Sequence, residues 1–241
     1  MNLVLYNLFP DRLNLYGDRG NVIALQKRCE WRGIHLKIVD IKSANDMNLL
    51  SVDIIFIGGG SDREQGLITK ELLKIKKDFK LCVEDGISCL AICGGYQLLG
   101  SYYVTSEGNK HMGMEICDFY SAAQKDRQVG NILIETKEFG KVVGFENHSG
   151  RTYHPYKPLG KVIKGYGNNG EDGTEGLCYN NVIGTYLHGP ILPKNPSLTD
   201  HIIAAAIERK YGKKELIELD DALEYETKHN AEKICLTLQR S

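Results

Sequence analysis

Residues 88–100 read SCLAICGGYQLLG: an apolar run, a cysteine, two glycines and a helix-compatible segment in immediate succession. The pattern predicts a buried strand ending at Ile92, a sharp turn at Cys93-Gly94-Gly95 and a helix that starts at once. A side chain on such a turn is pushed out above the carboxyl edge of a sheet, and small neighbours let a ligand approach the backbone. The helix N-terminus behind it favours thiolate over thiol and aims N–H groups at a developing oxyanion. Cys93 is therefore a candidate nucleophile. A free cysteine is also a common small core residue, and six others occur in the chain, so the case rests on what surrounds it.

Upstream, residues 52–60 (VDIIFIGGG) are a continuous apolar run closed by three glycines, the pattern of a buried parallel strand feeding a ligand-facing turn. LVLYNLF at residues 3–9 is a first strand, and the polar, glycine-punctuated RLNLYGDRGN after it is a loop suited to function. Asn21 is placed to cap a helix with apolar positions Val22, Leu25 and Cys29, ended by Gly33. HLKIVDI returns as a strand, and a helix over residues 63–77 leads to the Cys93 unit. This alternation predicts an α/β fold with a mostly parallel central sheet flanked by helices.

From Gly113 onward, short β-prone runs (MEICDFY, NILIET, VVGFEN, LCYN) are separated by glycine and asparagine, which predicts a mixed or antiparallel extension of the same sheet. NVIGTYLHGPIL at residues 181–192 is a further strand ending in His188-Gly189-Pro190. An amphipathic helix opens at Pro196, and residues 216–240 form a last helix, packed on the domain or at a partner interface. At 241 residues a single domain over residues 1–241 is expected.

Composition narrows the function. Thirty Lys and Arg against 31 Asp and Glu leave no basic surplus for nucleic acid. No run approaches the roughly 18 apolar residues needed to span a bilayer, and the first residues lack the pattern of a secretory signal, so a cytoplasmic location is expected. Seven cysteines without a C-x-x-C pair argue against a disulfide framework or a structural zinc site. GGGSDREQG lacks the lysine of a P-loop, and no G-x-G-x-x-G opens a helix after the first strand, so nucleotide cofactors are not supported.

Parallel α/β sheets bind ligands outside the carboxyl ends of their strands, where Gly58-Gly59-Gly60, Cys93-Gly94-Gly95 and His188-Gly189 should converge. A nucleophile, a base and backbone donors together describe acyl transfer through a thioester. These motifs, C-G-G-Y-Q-x-L-G and Y-L-H-G-P among them, resemble the class I glutamine amidotransferases of the cobyric-acid-synthase-like branch, with their flavodoxin-like fold. The loop LNLYGDRGN, with IFIGGGSDREQ, GFENHSGRTYH and GTYLHGPILPKNP, is similar more narrowly to the glutaminase subunits of lipid II isoglutaminyl synthases.

The resemblance implies that Cys93 attacks the side-chain amide of L-glutamine, that His188 serves as base and acid, and that N–H groups of Gly94 and of the Gly59-Gly60 turn form the oxyanion hole. It places Gln97 beside the substrate, with Asn147, His148 and Ser149 nearby. Arg127 would pair with the substrate α-carboxylate. Asp18 would lie at the partner interface. No cofactor or metal is implied. The ammonia would pass to a Mur-ligase-like ATP-dependent subunit, MurT, as heterodimer partner, for conversion of D-glutamate to D-isoglutamine in lipid II. Many relatives carry a glutamate two residues after the histidine, where this chain has Pro190. That gap implies a carboxylate supplied by the partner and a poorly active isolated chain. Competing readings are a glutaminase subunit of another synthase, a non-catalytic amino-acid sensor and a cysteine hydrolase of related type.

Overall fold

The computed structural model describes residues 1–213 and 215–237. The chain opens with β1 (Asn2–Leu8), α1 (Arg19–Glu30), β2 (His35–Ile41), β3 (Ile54–Ile57), α2 (Asp62–Glu84), β4 (Ser88–Ile92) and α3 (Gly94–Leu99). Every residue of β3 and β4 is buried, which is why those strands are uninterrupted apolar runs: helices cover both of their faces.

α2 outruns the expected residues 63–77 because its inward stripe of Ile68, Leu72, Ile75, Phe79 and Val83 continues at helical spacing. Ser61 caps its start by accepting from the Glu64 N–H at 3.3 Å. Asn21 does not cap α1 as expected. It lies inside that helix, and its Oδ1 accepts instead from the Leu192 N–H at 2.9 Å.

β5 (Tyr102–Val104), β6 (Lys110–Met112), β7 (Tyr120–Thr136), β8 (Gly140–Tyr153), β9 (Gly160–Lys164) and β10 (Thr174–Glu175) follow, then β11 (Leu177–Tyr179), β12 (Val182–Thr185), α4 (Pro196–Tyr211) and α5 (Ala222–Thr237). The first sheet has the order β11-β12-β4-β3-β1-β2 and is parallel except for the edge strand β11. The fold class is the one anticipated. The later strands, however, do not lengthen that sheet as expected: β5 to β10 build a second one around the long β7–β8 ladder, and only β11 and β12 rejoin the first.

α5 packs on the second sheet through Cys235, which meets Leu133 and Val143. Residues 238–240 of the anticipated last helix lie outside the described residues. The segment before α5 is tied to α1 and α4 by Arg28, which is 3% exposed and reaches Asp200 and Asp221 at 2.6 Å each. No helix among the described residues is long and apolar enough to cross a membrane. The topology brings the carboxyl ends of β1, β3, β4 and β12 side by side, with the loops after them at one edge.

Candidate active site

Cys93 follows β4 directly and adopts φ 49°, ψ −103°, a conformation that costs a residue with a Cβ on the order of 1–3 kcal/mol. Two bonds hold it there: its N–H donates to Thr185 O at 2.8 Å, and its carbonyl accepts from the Gln97 N–H at 2.9 Å. The next two positions must be glycine. A Cβ on Gly94 would fall 2.9 Å from the Gly60 nitrogen, and one on Gly95 would fall 2.5 Å from Ile57 O. The nucleophile turn thus sits directly on the turn after β3.

His188 and Asp18 lie beneath this pair, both fully buried. Asp18 Oδ1 is 3.2 Å from His188 Nδ1, so the carboxylate fixes the ring's orientation and leaves Nε2 for the thiol. Nε2 is buried without a hydrogen-bond partner. Burial works against an imidazolium here, but the Cys93 sulfur and the Asp18 carboxylate outweigh it and push His188 up to about 10. The edge of Tyr16 closes the other side, with ring centroids 4.9 Å apart. Pro190, which stands where many relatives carry an acid, packs directly on α1: a Cβ on Gly20 would fall 2.3 Å from its Cγ.

Asp18 is therefore not a surface contact for a partner. It lies on the loop after β1, and its second oxygen accepts from the Gly59 N–H at 2.6 Å. This corrects one oxyanion assignment as well, because the Gly59 N–H is already taken. Gly59 O accepts from the Leu15 N–H at 3.1 Å, and in a trans peptide this turns the Gly60 N–H the opposite way. The Gly60 nitrogen lies beside Gly94, 2.9 Å from where a Cβ on that residue would fall.

A cavity of about 730 Å³ opens over the thiol, lined by Cys93, Gly60, Gln97, Arg127, Asn147, His148 and Ser149 among others. Gln97 is buried, donates to Tyr186 OH at 3.2 Å and accepts from Gln65 Nε2 at 3.0 Å. Arg127 comes from a break in the β7–β8 register between Ala123 and Gln128. Asn147 holds its Nε and Nη2 at 3.0 and 2.8 Å, and Arg151 pins the same segment through Asp126 O at 2.8 Å. His148 is stacked on Tyr186, centroids 3.7 Å apart, and burial pushes its imidazole below the ordinary range. Its Nδ1 pairs with Gly150 O at 2.8 Å.

Sequence reasoning missed Gln65 and Tyr186, both buried and both bonded to Gln97. A signal existed for each. Gln65 opens the helix after the glycine turn, and Tyr186 sits two residues before His188.

A family model described as a CobB/CobQ-like glutamine amidotransferase domain matches residues 5–196. The chain is 50% identical over 226 residues to the lipid II isoglutaminyl synthase (glutamine-hydrolyzing) subunit GatD of Staphylococcus aureus, covering 94% of this chain and 93% of that protein. The corresponding subunit of Streptococcus pneumoniae is 39% identical over 214 residues, covering 87% of this chain and 82% of that protein. A crystal structure of a glutamine amidotransferase shares the fold, with a TM-score of 0.57 at 14% identity, over 83% of this chain and 98% of that one.

Proposed function

This chain belongs to the CobB/CobQ-like glutamine amidotransferase family, and we propose that it is the glutaminase subunit of a lipid II isoglutaminyl synthase. It hydrolyses L-glutamine to glutamate and ammonia. The ammonia passes to a Mur-ligase-like, ATP-dependent subunit (MurT), which amidates the D-glutamate of lipid II in the cytoplasm. The 241 residues act as one amidotransferase domain, with α5 packed against its second sheet.

The observation that carries this reading is the grouping of Cys93, His188 and Asp18 beneath a cavity walled by Gln97 and Arg127. The Cys93 sulfur attacks the amide carbon of glutamine. The carbonyl π pair moves onto oxygen, which the N–H groups of Gly60 and Gly94 stabilise. His188, holding the proton taken from the thiol, gives it to the nitrogen as the C–N bond breaks, so ammonia leaves and a γ-glutamyl thioester remains. Water then gives a proton to His188 as its oxygen attacks the thioester carbon; the C–S bond breaks, His188 returns the proton to the sulfur, and glutamate leaves. Asp18 holds the ring for both transfers. Arg127, steadied by Asn147, pairs with the α-carboxylate. Because Asp18 comes from this chain, the site has an orienting carboxylate without its partner, and the reason for expecting a poorly active isolated chain falls away.

Cys93→Ala tests the reading. In the complex with its ATP-dependent partner, the variant should lose glutamine-dependent amidation and keep amidation driven by ammonium chloride. Retained glutamine use by this variant would refute it.

A further inference from the structure

Gln65 lies in the first turn of α2, 2% exposed, between the glycine turn and the nucleophile helix. Its Nε2 donates to Gly60 O at 3.3 Å and to Gln97 Oε1 at 3.0 Å. A backbone carbonyl can only accept, so the carboxamide is oriented with its nitrogen toward the turn. Its Oε1 is buried with no partner. A fold rarely leaves a buried acceptor unpaired unless the group is held there for another purpose.

The remaining contacts suggest the purpose. Asp18 holds the Gly59 N–H and Leu15 holds Gly59 O. Both bonds end at Gly59, and Gln65 holds the chain one residue further on, at Gly60 O. The same Nε2 would be 2.9 Å from a Cβ on Gly94, the distance that also separates that position from the Gly60 nitrogen. The carboxamide therefore occupies the corner where the two oxyanion donors meet. Through Gln97 it connects to Tyr186 OH, two residues before His188.

Resting on the glutaminase reading above, we propose that Gln65 is a positioning residue of the oxyanion hole. It fixes the spacing between the Gly60 and Gly94 N–H groups and so acts on the transition state while leaving substrate binding nearly unchanged. It touches no reacting atom itself.

Gln65→Met has nearly the same volume and lacks the donor. Removing one oxyanion donor outright costs roughly 10²–10³-fold in kcat, so misplacing one should cost about 30–100-fold, with KM within about twofold of wild type. Alkylation of Cys93 by iodoacetamide forms no oxyanion and should proceed at the wild-type rate. A parallel loss of alkylation, or a rise in KM that accounts for the defect, would overturn the proposal and leave Gln65 as packing alone.

Gln65→Glu is a second, isosteric variant that remains informative if the methionine variant does not fold. At neutral pH its carboxylate faces two oxygens. Once protonated it regains a donor for Gly60 O, so its kcat relative to wild type should rise as pH falls from about 8 to about 5.5. A pH-independent ratio would count against the proposal. A wild-type protein that alkylates normally but releases no glutamate from glutamine would overturn the glutaminase reading, and this proposal with it.

Discussion

Replacing Asp18 with asparagine removes one charge and almost no volume from a fully buried position. The carboxylate serves two donors, His188 Nδ1 at 3.2 Å and the Gly59 N–H at 2.6 Å. Asparagine has one oxygen, so one of those donors must face its NH₂ group. Opposite unit charges at 3.2 Å attract by roughly 5 kcal/mol at an effective dielectric constant of 20. A neutral hydrogen bond retains about half of a charge-assisted one, leaving a loss on the order of 2.5 kcal/mol in the stabilisation of the imidazolium that serves as the acid. At 1.36 kcal/mol per decade this lowers kcat by about 10²-fold. Release of glutamate from glutamine, measured on the isolated chain and on the complex, provides the assay, and ammonium-driven amidation by the complex should be unchanged. A folded Asp18→Asn protein with kcat within about threefold of wild type would refute the assignment of this residue to the triad.

Arg127→Met should raise KM for glutamine about 10–100-fold with a smaller change in kcat, since a bidentate guanidinium–carboxylate pair contributes mainly to binding, and an unchanged KM would remove Arg127 from the substrate site. Burial pushes the Glu175 carboxyl up to about 8, while Thr185 Oγ1 and the Tyr186 N–H donate to its Oε1 at 2.6 and 2.8 Å and its Oε2 is unpaired. The folded state therefore holds more protons than the unfolded state between about pH 4.5 and pH 8, and this group erodes stability as pH rises through that window. Glu175→Gln should gain at least about 1 kcal/mol relative to wild type between pH 5 and pH 8.5 in denaturant titrations, and a constant difference would contradict this.

The parts of the fold legible in the sequence are those with only one way to be buried. β3 and β4 are covered on both faces, so their apolar runs announced them, and the rule that ligands bind at strand carboxyl ends then selected Cys93, the glycine turn and His188 together. The second sheet was less legible because an alternating run specifies a half-buried strand without specifying its neighbour. Asp18 illustrates the limit most clearly. It sits 170 residues from His188 in a loop of similar polar residues, and nothing in LNLYGDRGN says which side chain turns inward. Gln65 and Tyr186 carried only a positional signal, since their importance lies in partners on other elements. The Gly59 N–H could not have been excluded as a donor before the position of Asp18 was known.

The two oxygens of Asp18 serve two parts of the site. One carboxylate pairs with His188, and the same carboxylate holds the first peptide of the turn after β3. A displacement of the Leu15–Gly17 turn that carried Asp18 away by an ångström would break both contacts at once, because the Leu15 N–H is bonded to the same turn. The placing of this one loop therefore bears on the histidine and on the turn after β3 together.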